Sequence, residues 1–297
     1  MDTLESLRRK IDGAKDIKSV VRTMKAMAAS NIGQYERAVN SLGDYYRTVT
    51  LGILAYFRNN RIDTIHKKED SKGKEEKLIC AIVFGSDQGL VGQFNDSLAE
   101  FVSQSLKAMQ GKKEVWAVGE RVQLILSDAG FATTKVFSAP NSVTAITPLV
   151  SEILMKSEER HEKENLKEFY IFHNQPHEVA GYSPVTQRLL PLDAKWKQEF
   201  ATLKWTTKNL PQVAGDNELT IAALIREYLF VSLFKACAES LASENASRLS
   251  AMQRAEKNID ELQDDLSHKF HRLRQSSIDE ELFDVVSGFE ALKEKYR

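Results

Sequence analysis

Stepping by seven from Leu4 meets Leu4, Ile11, Lys18, Lys25, Ile32, Val39, Tyr46 and Ile53, and stepping by seven from Leu7 meets Leu7, Ala14, Val21, Ala28, Tyr35, Leu42, Val49 and Tyr56. Fourteen of these sixteen positions are apolar. A heptad sustained this long predicts one helix over residues 3–58 whose seam faces a partner helix and supercoils with it. At about 1.5 Å per residue it is roughly 80 Å long. Asp2 or Thr3 caps its start, and Glu5 suits the positive end of the helix dipole.

A second helical pattern follows Pro211. Gly215, Asp216, Asn217 and Glu218 supply a start signal, and Leu249, Met252, Ala255, Ile259, Leu262, Leu266, Phe270 and Leu273 recur at steps of three or four. Carried to Arg297 it spans about 80 residues, or roughly 120 Å. Glu256 and Gln263 stand where a strict repeat asks for apolar groups, so the supercoil relaxes there. All six prolines, from Pro140 to Pro211, lie between the two patterns, so both ends are free to be helical without a break.

Between them the period changes. Leu78–Phe84 reads as a buried parallel strand, Ser97–Met109 as a helix, Val115–Val118 as a strand and Glu120–Ser127 as a helix; Lys135–Phe137, Ala145–Lys156 and Phe169–Phe172 extend the alternation. This predicts an open, Rossmann-like α/β sheet inserted between two long helices. The expected segments are a coiled-coil helix at 1–58, a linker at 59–76, an α/β domain at 77–210 and a coiled-coil helix at 211–297 that pairs with 1–58.

An apolar seam of this length aggregates unless it is covered, and a compact insert returns the chain near where it left, so the two helices are expected to pair antiparallel. A homodimer would bury the first seam and leave the second unexplained. Aligned at the insert, the second helix outruns the first by about 25 residues, or near 40 Å, from around Phe270. Ile278, Leu282, Val285, Val286, Phe289 and Leu292 on that overhang then need cover from outside the chain, as an axle needs a bearing.

Composition narrows the field. Lys and Arg total 41 against 42 Asp and Glu, so no global charge draws the chain to nucleic acid or anionic lipid. Cys80 and Cys237 are the only cysteines, too few for a disulfide framework, which points to a reducing cytoplasm. No secretory presequence is visible, and the most apolar long stretch, Ile221–Phe234, contains Arg226 and Glu227 and is too short to cross a bilayer. Gly85, Gly89 and Gly92 follow a strand, but no Gly-Lys-Ser or Gly-Lys-Thr completes a phosphate loop, so they read as a tight turn. His173 with His177, and His268 with His271, lack further ligands, so no metal or cofactor is expected. Lys18 and Lys25 interrupt the first seam and form a basic collar with Lys15 and Arg22. They either meet carboxylates on a surrounding ring or set the register of the coiled coil.

Several runs carry a resemblance. Glu239-Ser-Leu-Ala-Ser-Glu-Asn-Ala-Ser-Arg248 with Ala251-Met252, and Arg274-Gln275 with Ile278, Glu281-Leu282, Val285-Val286 and Gly288, lie on the last helix; Met24-Lys-Ala-Met-Ala-Ala-Ser30 lies on the first, and Ser86-Asp-Gln-Gly-Leu-Val-Gly-Gln-Phe-Asn95 follows the first strand. In these the chain resembles, along essentially its whole length, the gamma subunit of F-type ATP synthases. Gln88 stands in place of a usual arginine, Gln93 of a usual glycine and Glu256 of a frequent threonine, as in a divergent bacterial-type branch.

The resemblance implies a non-catalytic central-stalk rotor that couples ion-driven rotation of the membrane c-ring, by protons or sodium, to conformational cycling of the catalytic alpha and beta hexamer. It implies an epsilon-type stalk subunit as a further partner and a peripheral position on the cytoplasmic face of the inner membrane. Arg274 and Gln275 are expected to touch the beta subunits, with Lys18, Arg22, Lys25, Ile278, Leu282, Val285 and Phe289 as further partner contacts. The alternative is a structural coiled-coil spacer of another assembly; a nucleotide-binding α/β enzyme is a weaker rival.

Overall fold

A computed structural model describes residues 3–59, 78–164, 166–177, 181–192 and 216–295, together with residues 196, 198, 203, 205 and 209. The expected linker at 59–76 therefore falls, beyond Asn59, outside the described residues.

Helix α1 covers Leu4–Asn59 and ends the chain's first segment without a break. Thr3 caps it, its hydroxyl oxygen accepting from the Ser6 amide at 3.2 Å. Helix α5 covers Asn217–Lys295. Asp216 caps it, taking the amides of Glu218 at 2.7 Å and Leu219 at 3.3 Å. Between them run β1 (Leu78–Phe84), α2 (Phe94–Ala108), β2 (Lys112–Val118), α3 (Glu120–Asp128), β3 (Thr133–Phe137), a short 3-10 turn (Val143–Ala145), α4 (Ile146–Glu164), β4 (Leu166–Pro176) and β5 (Tyr182–Leu190).

The chain forms two compact units, residues 28–248 and residues 1–27 with 249–297. The larger is a layered α/β body. Its sheet runs β3-β2-β1-β4-β5, with β1, β2, β3 and β4 parallel and β5 antiparallel at the edge. Every residue of β1 is buried, as expected of a central parallel strand covered on both faces. Ala81, Val83, Val115 and Ala117 pack under Leu98, Val102 and Leu106 of α2 and Val122 and Leu126 of α3. Cys80, Ile82, Phe84, Trp116 and Ile171 face the other way, toward Ile146, Val150 and Ile153 of α4, Val49, Ile53 and Tyr56 of α1, and Tyr228, Leu233 and Cys237 of α5. The long helices thus form one layer of the α/β body, and their exposed faces belong to the same fold.

In the smaller unit, Leu7, Ala14 and Val21 of α1 and Met252 and Leu266 of α5 are buried. Lys18 pairs with Asp260 and Lys25 with Glu256. As numbering rises along α1 it falls along α5, so the two helices lie antiparallel. Strand β5 was not foreseen in the sequence, and β4 and α4 run longer than their apolar cores suggested.

Candidate functional site

In an open parallel sheet, ligands bind beyond the carboxyl ends of the strands where the connections change direction. Here that point lies between β1 and β4, which are neighbours although β2 and β3 intervene in sequence. Helix α5 occupies it. Ser240 donates to the Phe84 carbonyl at 2.8 Å, Ser243 to the Asn174 carbonyl at 2.9 Å, and Ser247 to the Val91 carbonyl at 2.6 Å. Asn174 donates to the Phe94 carbonyl at 3.0 Å. His173 Nε2 lies 2.7 Å from Glu239 Oε2, with Gln175 donating to the other carboxylate oxygen at 3.4 Å. Burial raises the Glu239 pKa, but the His173 hydrogen bond and charge, with Lys235 and Gln175, outweigh it and hold the carboxyl below its ordinary range.

The glycine-rich turn after β1 is closed by the chain's own groups. Asp87 accepts from the amides of Glu120 and Ala139, each at 3.0 Å, filling the anion position at the start of α3 that a phosphate takes in nucleotide-binding folds. The Ser86 amide donates to Asn95 Oδ1 at 3.0 Å and Asn95 Nδ2 donates to Ser86 Oγ at 2.8 Å. A Cβ on Gly85 would lie 2.3 Å from that of Val122, and one on Gly119, which is at φ +113°, would lie 2.6 Å from the Ser86 carbonyl oxygen. The crevice is a seat for α5 rather than an open pocket. Of the two histidine pairs, His173 is thus engaged with Glu239. Among the described residues no three His, Cys, Asp or Glu side chains gather as a metal site.

The helix-pair unit carries the other candidates. Arg22 Nε donates to Glu256 Oε1 at 2.8 Å, Lys25 pairs with the other oxygen of the same carboxylate, and Lys18 with Asp260. The hydrogen bonds from Lys25 and Arg22 pull the Glu256 pKa down to about 2. The carboxylates for Lys18, Arg22 and Lys25 thus come from α5 itself, while Lys15 pairs with Asp12 of α1 at 3.3 Å. Glu256 and Asp260 are residues that reading the seams one at a time missed; the signal was there, since a lysine breaks one apolar seam and a glutamate the other.

Leu273 and Ser277 are the last half-buried positions on α5, and every described side chain from Ile278 through Phe289 is exposed. Arg274 and Gln275 are exposed just before this stretch. Phe283 is 71% exposed and Phe289 68%. Ile278, Leu282, Val285 and Phe289 recur at steps of three and four and so share one face. The unpaired stretch starts later than the expected Phe270 because Leu7 and Leu4, near the start of α1, still find cover.

An ATP synthase gamma chain of Nautilia profundicola is 25% identical over 99% of this chain and 100% of its own length. One of Pelagibacter ubique is 28% identical over 98% and 100%. The family model described as ATP synthase matches residues 3–292. The chain belongs to the ATP synthase gamma family. A gamma chain is the central-stalk subunit of the synthase and does no catalysis of its own. Among solved structures, a chain of the Euglena gracilis mitochondrial ATP synthase with OSCP, F1 and c-ring, in rotational state 3, has TM-score 0.61 at 16% identity, covering 97% of this gamma chain and 94% of that one. A chain from the central stalk and c-ring of the Tetrahymena thermophila enzyme has TM-score 0.57 at 20% identity, covering 80% and 99%. These two show a shared fold. The closed crevice suits a gamma chain, whose work lies on its surfaces.

Proposed function

We propose that this gamma chain turns within the catalytic hexamer and transmits torque through the exposed end of α5. Ile278, Leu282, Val285 and Phe289 bear on the surrounding alpha and beta subunits, Arg274 and Gln275 make polar contacts at the mouth of that bearing, and Arg22 approaches the same ring. The α/β body between the helices docks on the membrane c-ring beside an epsilon-type subunit. The complex stands at the cytoplasmic face of the inner membrane, with this chain peripheral. Among the described residues no helix is long and apolar enough to cross a bilayer, which accords with that place. The observation that carries the reading is the run of exposed apolar side chains at 278–289, beginning where the helix pair ends.

The energetics call for such a part. One charge crossing 100 mV releases about 2.3 kcal/mol, so several ions must be pooled for each ATP. A shaft pools them mechanically. Held in a threefold ring, an asymmetric helix pair presents a different face to each of three chemically identical sites and biases each toward a different conformation. The division of the chain into torque-bearing ends and a docking middle follows from this scheme.

The test is reconstitution with alpha and beta subunits. Arg274→Ala is expected to lower ATPase turnover of the assembled complex while the isolated chain keeps its melting temperature. Unchanged turnover in a complex of correct stoichiometry would overturn the assigned contact, and failure of the wild-type chain to assemble would overturn the rotor reading itself.

A further inference from the structure

We propose that Glu256 is a positioning residue of the rotor, a single carboxylate that fastens α1 to α5 in one register through Lys25 and Arg22. The proposal rests on the rotor reading above.

The seam around it mixes large and small groups: Met252 on α5 is 3% exposed and Ile259 is half-buried. Ala14 and Val21 on α1 are buried, and Ala251 and Ala255 on α5 are half-buried. The alanines make few dispersion contacts, so at their positions apolar packing discriminates only weakly between registers. Charge changes that balance. Lys18 and Lys25 lie on the seam and are only half-exposed, and the Glu256 side chain is 17% exposed. Arg22 and Lys25, three apart, share one flank of α1 and grip the two oxygens of Glu256. Lys18 holds Asp260 one turn further along α5. Displacing α1 by a helical turn, about 5.4 Å, either offers Glu256 only Lys18 and strands Lys25, or carries Arg22 and Lys25 to Asp260 and strands the partly buried Glu256. Removing one member of such a set costs more than forming it gains, so it discriminates against wrong registers even where it adds little net stability. A polar residue in an apolar seam fixes register in coiled coils by this route. A shaft that carries torque through two helices needs that resistance to sliding, and Glu256 adds it to the apolar packing of Met252 one turn away.

The experiment combines a distance signature with a coupling ratio. Met27 and Leu262 are exposed in this unit, and Cys80 and Cys237 are buried, so nitroxide labels on Met27→Cys and Leu262→Cys report register by double electron–electron resonance. In the wild-type background a single narrow distance distribution is expected. Glu256→Gln should broaden or split it and reduce ATP-driven ion pumping several-fold relative to ATP hydrolysis in the reconstituted holoenzyme. The swapped triple variant Arg22→Glu, Lys25→Glu, Glu256→Lys should restore both. A narrow distribution in Glu256→Gln would overturn the proposal, as would a triple variant no better coupled than Glu256→Gln. The distance measurement is also made on the isolated full-length chain, where it tests the lock even if the wild-type chain fails to assemble with alpha and beta subunits.

Discussion

Gly85 shows how one missing side chain sets the end of β1. A Cβ there would lie 2.3 Å from Val122 Cβ and 2.9 Å from Asn95 Oδ1, which itself holds the Ser86 amide. Gly85→Ala must therefore move α3 or break the Asn95 bond, and a loss of about 1–3 kcal/mol follows from overpacking of this kind. Gly89, in the same turn, has nothing within 4 Å of its Cβ position, so Gly89→Ala serves as the control and should melt within a degree or two of wild type. The sequence marked the turn by its glycines but could not say which one is crowded, because crowding depends on a helix more than thirty residues away. Glu239 has a pH signature. Its folded-state pKa lies below the ordinary 4.5, so the unfolded chain binds the proton more tightly than the folded one. The stabilisation is present in full above about pH 4.5 and is lost as pH falls through the depressed value. Glu239→Gln should flatten that part of the acid limb in urea midpoints taken between pH 3 and 6, while lowering stability near neutrality by removing the charged partner of His173.

Among elements, the legible ones had a period and the missed one lacked it. The seven-residue repeat of α1 survives in the structure as buried Leu7, Ala14, Val21, Ala28 and Tyr35. The all-apolar β1 is the central strand. Strand β5 escaped because it is an edge: Tyr182, Ser183, Pro184, Val185 and Gln187 are part-exposed, Thr186 is exposed, only Leu189 is buried, and Pro184 is tolerated because one side of the strand has no ladder. Helix α4 continues to Glu164 through Glu158, Glu159, Arg160 and His161, where no apolar spacing advertises it; Arg160 is anchored by its 3.1 Å pair with the buried Glu114. The Glu239–Arg248 run, the strongest sequence resemblance, is largely a structural seat on strand ends. Ser240→Ala should thus leave the Phe84 carbonyl unsatisfied, cost about 1–3 kcal/mol, and speed amide exchange in β1 more than in α2.

For the molecule as a whole, the decisive feature is what the chain leaves uncovered. Exposed apolar groups scattered singly are ordinary, but Ile278, Leu282, Phe283, Val285, Val286 and Phe289 are consecutive in space on one helix. The stretch is legible in the sequence from its lack of cover, but its start is not, because the register that sets Lys18 opposite Asp260 depends on how the insert returns the chain. The side chains there contribute nothing to the packed units, so Leu282→Asp combined with Phe289→Asp should leave the melting temperature of the isolated chain unchanged. In a complex with alpha and beta subunits the same change should lower coupled turnover severely, because a carboxylate forced into an apolar bearing is left without solvent or a partner. A melting temperature that falls with the double substitution would mean that the end of α5 folds against its own chain, and the bearing would then have to be sought elsewhere on the surface.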